Sequence, residues 1–157
     1  MSGASGLIGS ALVRAFEGRG DKVCRLVRRL PENESEVQWD PMREIPPEIV
    51  SGFDAVIHLS GENVAGLWTA KKKRRILESR VLSTRNLAQA LVRAEKRPQV
   101  WLCASAIGYY GDRGDEVLTE ESAPGTGFLP EVCREWEAGT GPATEAGIRV
   151  ANMRFGI

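Results

Sequence analysis

The chain carries one histidine, three cysteines, 6% aromatic residues and no excess of charge of either sign. Each scarcity removes a class of function. Lys and Arg number 21 and Asp and Glu 21, so no overall field draws the protein to nucleic acid or to an acidic membrane surface. Cys24, Cys103 and Cys133 are an odd count without metal-ligand spacing. They read as reduced thiols, and a cytoplasmic location with no bound metal is the expectation. No apolar run approaches the ~20 residues of a membrane span. The apolar N-terminus is punctuated by glycine, which suits a loop and a helix rather than a signal peptide. There is no internal repeat and no low-complexity linker, and 157 residues suit one domain with a real core.

What the chain does have is glycine, and three of these residues stand at a spacing of three in Met1-Ser2-Gly3-Ala4-Ser5-Gly6-Leu7-Ile8-Gly9. An amphipathic stretch follows at once. The arrangement reads as a phosphate-binding turn feeding a helix. Gly3 can take the positive φ of a tight turn, Gly6 lets the backbone approach a pyrophosphate, and Gly9 lets the helix pack close to a strand. The helix start then offers unpaired N–H groups and a positive dipole end to the anion.

The rest of the chain alternates in the manner such a loop requires. A helix is expected over Leu7–Gly18, with Gly18 and Gly20 as stops, then a strand over Lys22–Val27 and a short one over Val37–Trp39. Pro46–Gly52 is a short helix or turn, and Phe53–Gly61 is a buried apolar strand ending in small residues. Thr69 caps a long helix to about Ala94, with Ile76, Val81, Leu82, Leu87 and Leu91 as its apolar stripe. Val100–Ala104 is a strand, Phe128–Ala138 a helix interrupted by Gly139, Gly141 and Pro142, and Ile148–Phe155 a last strand. This order gives an α/β fold with a parallel, doubly wound sheet.

Such sheets bind ligands at the carboxyl ends of their strands, where the glycine loop, Arg28, Ser60-Gly61 and Ser105 all fall. At the end of the second strand an acid would hold a ribose hydroxyl. Val27-Arg28-Arg29 offers guanidinium instead, which forks onto a 2′-phosphate. NADP(H) is therefore favoured over NAD(H), against the alternative of two solvated arginines. His58 lies within an apolar strand and reads as a packed core histidine. Trp39, Trp101 and Trp136 read as packing residues, and Lys71–Arg75 as a solvated helix face.

Gly-x-x-Gly-x-x-Gly, Asp54-x-Val-Ile-His-Leu-Ser-Gly and a strand ending in Ser-x-x-x-x-Tyr-Gly resemble extended short-chain dehydrogenase/reductases. The wording Leu59-Ser-Gly-Glu-Asn63, Glu78-Ser-Arg-Val-Leu-Ser-Thr-Arg85, Ser105-Ala-Ile-Gly-Tyr-Tyr-Gly111 and Val132-Cys-Arg-Glu-Trp-Glu137 is similar to one atypical branch. This is the NAD(P)-dependent epimerase family, sometimes called cell-division-inhibitor-like. The resemblance implies a Rossmann-type fold and cofactor contacts at Gly3, Gly6, Leu7, Ile8 and Gly9 for the pyrophosphate. It further implies Val27 and Arg28 at the adenosine ribose, Leu59, Ser60 and Gly61 beside the nicotinamide, and Arg80 reaching in from the long helix.

The departures concern catalysis and the two ends. No Tyr-x-x-x-Lys is present: Tyr109 has Arg113 four residues on, and Tyr110 has Gly114. With Glu137 aligned to the helix that normally carries the motif, Leu129 and Cys133 stand where Tyr and Lys belong. Ala106 stands at the usual serine, one place from Ser105. Ser105, Tyr109 and Tyr110 are left as the candidate proton-handling groups, and Cys133 as a redox-sensitive thiol or an inert buried one. The family also begins with a strand ahead of the glycine loop and continues beyond Gly156-Ile157 into a smaller substrate-binding part. Residues 1–157 are accordingly expected to form one NAD(P)-binding domain of a longer architecture, lacking the first strand and the C-terminal part. Three functions stay open: an NADP(H)-dependent oxidoreductase or nucleoside-sugar epimerase, a non-catalytic NADP(H)-binding or redox-sensing protein acting through a partner, and an inactive fragment. The substrate and the oligomeric state are not legible.

Overall fold

The computed structural model describes residues 1–156. The order of elements is α1 (Leu7–Gly18), β1 (Arg25–Val27), β2 (Glu36–Gln38), β3 (Ala55–His58), α2 (Ala70–Arg93), β4 (Val100–Ala106), α3 (Phe128–Ala138), α4 (Gly141–Glu145) and β5 (Arg149–Phe155). Short 3-10 turns cover Pro47–Ile49 and Ile107–Tyr109. Every strand pairing is parallel, as the alternation of strands and helices requires.

The strands form two blocks, β1-β2 and β3-β4-β5. Ser2 stands between them and bridges to Leu26 on one side and His58 on the other. The spatial order is therefore β2-β1-Ser2-β3-β4-β5. It is the doubly wound dinucleotide-binding order, with its central place held by one residue. Few bonds make this seam. Ser2 N donates to the Ile57 carbonyl at 2.9 Å, Leu59 N to the Ser2 carbonyl at 3.3 Å, and Leu26 N to the Met1 carbonyl at 2.8 Å. The Met1 ammonium donates to the Cys24 carbonyl at 2.6 Å.

Local signals account for most boundaries. Thr69 Oγ1 accepts from Lys72 N at 3.2 Å and starts α2. Pro130 falls in the first turn of α3, where its missing N–H costs nothing. The expected strand at Lys22–Val27 is regular only from Arg25, because Lys22–Cys24 have no paired strand on the Ser2 side. Gly139 ends α3, but Gly141 and Pro142 begin a further short helix, α4, rather than an irregular break. On α2 the buried stripe holds Ile76, Val81, Leu87 and Leu91 as expected, whereas Leu82 is exposed and Ala88 and Ala90 are buried in addition.

The core lies between the sheet and α2, α3 and α4, around Trp101, Leu87, Leu91, Ile45, Trp136 and Ile148. Each such side chain contributes roughly 1.5–3 kcal/mol by leaving water. His58 is part of this core. Ser83 donates its hydroxyl to the Ser79 carbonyl at 2.6 Å, so His58 Nε2–H donates to Ser83 Oγ at 3.2 Å. The other ring nitrogen, Nδ1, then accepts from Ser2 Oγ at 2.7 Å. Burial first, and the Met1 ammonium second, push the imidazole down to about 3.

Candidate functional site

The carboxyl ends of the strands come together on one edge, and the glycine loop lies at their centre. Gly3 follows the seam with φ +68°, and a Cβ there would stand 2.7 Å from the Leu59 carbonyl carbon. Gly9 is tighter: its Cβ would stand 2.2 Å from the Gly3 oxygen and 2.8 Å from Ala4 Cα. The close approach at Gly9 is thus to the loop itself rather than to a strand. Gly6 differs from both. It has an ordinary φ of −74°, and a Cβ there would meet only the Gly3 oxygen at 3.4 Å.

The first turn of α1 leaves its leading N–H groups open. Gly6, its N-cap, has no side chain to satisfy the leading N–H groups, and no acidic residue stands in the turn. Leu7 is 91% exposed and Ile8 40%, so the backbone beside them is reachable.

At the end of β1 the two arginines separate. Arg29 donates from Nη1 and Nη2 to Glu36, each at 2.8 Å, and lies 3.3 Å from Glu32. The Arg29 guanidinium and the Glu32 N–H hold the Glu36 carboxyl below its ordinary range. Arg28 is exposed. The Glu36 carboxylate is engaged by Arg29, while the Arg28 guanidinium has no ion-pair partner among the described residues.

Leu59, Ser60 and Gly61 follow β3. Arg80 lies beneath them, its Cζ 3.1 Å from where a Gly61 Cβ would be. Its Nη1 donates to the carbonyls of Glu62 at 3.0 Å and Ile76 at 3.2 Å, and its guanidinium stacks 5.0 Å above the Trp136 ring. Burial pushes this guanidinium down from its usual range. Arg80 thus braces the loop from below instead of reaching freely into the cleft. Glu62 is held on the other side by Lys72 at 2.8 Å and Arg75 at 3.0 Å.

At the end of β4, Ser105 is 2% exposed and donates to Glu137 Oε1 at 2.6 Å. Arg154 stands beside Ser105 across the β4–β5 register. It clamps the same carboxylate, Nε to Oε1 and Nη2 to Oε2, both at 2.8 Å. Its Nη1 donates to the Tyr110 hydroxyl at 2.8 Å, and its Cζ lies 3.5 Å from the Tyr109 ring centroid. Ser105, Tyr109 and Tyr110 are thereby gathered around one ion pair. Neither Glu137 nor Arg154 is a candidate on sequence reasoning, although an arginine within the apolar run Val150–Phe155 is a readable signal. Cys133 is buried nearby. Burial, and then Glu137, push its thiol up, while burial pushes Cys103 up to about 12. Both are poor nucleophiles.

Among the described residues there is no cluster of His, Cys, Asp or Glu fit to hold a metal, and no helix is long and apolar enough to cross a membrane.

Comparison with known proteins gives a consistent result. A family model described as the NAD dependent epimerase/dehydratase family matches residues 1–130. An epimerase family protein of Mycobacterium bovis is 40% identical over 159 residues, covering 100% of this chain and 52% of the relative. The chain therefore spans about half the length of the curated relatives it matches. A nucleoside-diphosphate sugar epimerase from Corynebacterium glutamicum superposes with TM-score 0.84 at 42% identity, over 98% of this chain and 32% of that one. A human epimerase family protein solved with NADPH has TM-score 0.83 at 25% identity, over 98% and 51%. MoeE5, solved with UDP-glucuronic acid and NAD, has TM-score 0.75 at 27% identity, over 98% and 52%.

Proposed function

The chain belongs to the NAD-dependent epimerase/dehydratase family, and from that premise we propose that it binds NADP(H) in preference to NAD(H) and serves an oxidoreductase or epimerase acting on a nucleoside-diphosphate sugar. A nicotinamide dinucleotide is the ligand class carried by the solved relatives. The residues present fit such a group. The open first turn of α1, with Gly3, Gly6, Leu7, Ile8 and Gly9, would hold the pyrophosphate. Val27 and Arg28 would hold the adenosine ribose, and Leu59, Ser60 and Gly61, braced by Arg80, would border the nicotinamide. When bound, the nicotinamide supplies a hydride donor or acceptor.

The observation that carries the preference is the division of labour between neighbours. Arg29 is consumed by Glu36, no acid stands at the end of β1, and Arg28 remains without an ion-pair partner among the described residues. A charged hydrogen bond to phosphate contributes ~1.5–3 kcal/mol, or roughly 10- to 150-fold in affinity. Titration with NADPH and NADH, followed by energy transfer from tryptophan, should give tighter NADPH binding. Arg28→Ala should then weaken NADPH by at least ~10-fold and leave NADH nearly unchanged. Equal affinities, untouched by Arg28→Ala, would refute the preference.

For proton handling, the reading places Tyr109 and Tyr110 at the reacting end. Arg154 fixes both rings, and Ser105 serves by holding Glu137 in line. A buried serine whose hydroxyl is already donated to a carboxylate is a poor first contact for substrate. The non-catalytic reading draws on the same fact, since Ser105 and Tyr110 are both engaged internally. Turnover of NADPH against a panel of nucleoside-diphosphate sugars and carbonyls separates the two.

A further inference from the structure

The chain has two tyrosines, and they are neighbours. β4 runs on past the last position it shares with β3, Cys103 opposite His58. It carries Tyr109 and Tyr110 to the edge where Ser60 and Gly61 lie. Both touch Arg154, in different ways, and the difference separates their roles.

Tyr110 faces inward. It is 7% exposed, and its hydroxyl oxygen accepts from Arg154 Nη1 at 2.8 Å. Its backbone is fixed as well. The amide donates to the Ile107 carbonyl at 3.0 Å, and a Cβ on Gly125 would stand 2.3 Å from the Tyr110 oxygen. Tyr109 is half-buried. Its carbonyl accepts from Gly125 N at 2.9 Å, whereas its hydroxyl has no partner among the described residues and is not sealed from solvent. The ring itself is held. Its face lies on the Arg154 guanidinium, with Cζ 3.5 Å from the centroid, and it meets the Tyr110 ring edge-on at 5.3 Å.

The guanidinium is not free to turn. Glu137 takes Nε and Nη2 at 2.8 Å each, and Nη1 also reaches the Glu120 carbonyl at 3.2 Å. Ser105 holds Glu137 Oε1 from the far side at 2.6 Å. Each nitrogen of Arg154 is thus bonded within the protein, and its flat face is what remains for Tyr109. A phenol that gives up its proton gathers negative charge on oxygen and ring, and a cation fixed over the ring is in place to meet that charge. The Glu137 carboxylate weakens this field, but a fork of paired bonds puts it at the edge of the guanidinium rather than on its face.

We infer, resting on the function proposed above, that Tyr109 is the residue that exchanges a proton with substrate, that Arg154 is its positioning residue, and that Tyr110 is an inner strut. When a substrate ketone takes hydride at its carbon from the reduced dinucleotide, the Tyr109 O–H bond breaks and the proton passes to the ketone oxygen. The product is an alcohol, and water then returns a proton to the phenolate. In the direction of oxidation the same steps run backwards.

The first test needs no turnover. Brief treatment of the chain with tetranitromethane, followed by peptide sequencing in the mass spectrometer, should place nitrotyrosine on Tyr109 and not on Tyr110. Nitration of Tyr110 alone, or of both at equal rates, would overturn the proposal. The second test follows NADPH consumption with UDP-4-keto-6-deoxyglucose. Tyr109→Phe should lower kcat at least ~100-fold with KM little changed. Tyr110→Phe should lower it by ~10-fold or less, the usual contribution of one hydrogen bond. Arg154→Met should lose ~10-fold more in kcat than Arg154→Lys, which keeps the charge, although the two unfold at similar temperatures. In the Tyr109→Phe background, Arg154→Met should lose nothing further. Full activity in Tyr109→Phe, a larger loss in Tyr110→Phe, or an Arg154→Lys as impaired as Arg154→Met would each overturn the proposal. A wild-type chain that consumes no NADPH would remove the reaction and this role of Tyr109 with it, while the NADPH and NADH titration tells separately whether the dinucleotide site stands.

Discussion

Gly9→Ala is expected to cost the protein its glycine loop. The new methyl would stand 2.2 Å from the Gly3 oxygen and 2.8 Å from Ala4 Cα. Both are backbone atoms and cannot swing aside. Overpacking a yielding core costs ~1–3 kcal/mol, and a clash between two backbones belongs at or above the top of that range. A loss of ~3 kcal/mol lowers the unfolding midpoint of a chain this size by roughly 6–12 °C, and no dinucleotide should bind. Gly6→Ala is the informative partner. Its methyl meets nothing closer than 3.4 Å, so stability should fall by about 1 kcal/mol or less, the cost of an alanine N-cap. Binding of NADPH should still weaken at least ~10-fold, because Gly6 is open on the side where a pyrophosphate would approach. Calorimetry and fluorescence titration of the two variants settle the matter. Equal destabilisation of both, or unimpaired binding by Gly6→Ala, would show that the loop is not shaped for phosphate.

Acid is expected to unfold the protein earlier than its carboxylates require. His58 sits neutral in the core, with its pKa at about 3, while in the unfolded chain it titrates near 6.5. The unfolded state therefore binds the proton first. Its contribution to stability is complete above about pH 6.5 and is lost as the pH falls toward 3. The slope approaches one proton, or about 1.4 kcal/mol per pH unit. Between pH 6.5 and 5 the loss is about 2 kcal/mol, roughly 4–8 °C in unfolding midpoint. Glu36 and Glu62, held below their ordinary range by Arg29 and Lys72, add a loss of their own as the pH falls further. His58→Asn keeps a polar group between Ser2 and Ser83 but removes the titration. It should be less stable at pH 7 and show a nearly flat midpoint between pH 6.5 and 5. A wild-type midpoint that is equally flat would mean that water reaches the imidazole.

How far the sequence foretells this molecule depends on how far apart the cooperating residues lie. Gly3, whose role is a local backbone angle, was readable, and so were the Thr69 cap and the apolar run through Val56, Ile57 and His58. Arg28 and Arg29 were readable as a pair but not individually. What separates them is Glu36, brought back by the pairing of β1 with β2. The link between Glu137 and Arg154 spans 17 residues and two elements, and no local pattern announces it. Misreadings have the same origin. Lys22–Cys24 have strand-like residues without a neighbour to pair with. Gly141 and Pro142 resemble a break, yet a proline in the first turn opens a helix as readily as it closes one.

The two-residue seam also bears on how the molecule opens. Domains come apart in cooperative units whose boundaries follow the weakest connections. Here α1, β1 and β2 meet β3-β4-β5 through the few backbone bonds of Met1 and Ser2, the Ser2–His58 hydrogen bond, and the packing of Leu26 and Trp39 into the shared core. Among the described residues the shared side-chain core, more than the backbone ladder, carries this junction. A ligand spanning from Arg28 on one side to Ser60 on the other would act as a splint across it. On the proposed reading, a bound dinucleotide would add to the contacts that hold the two strand blocks together.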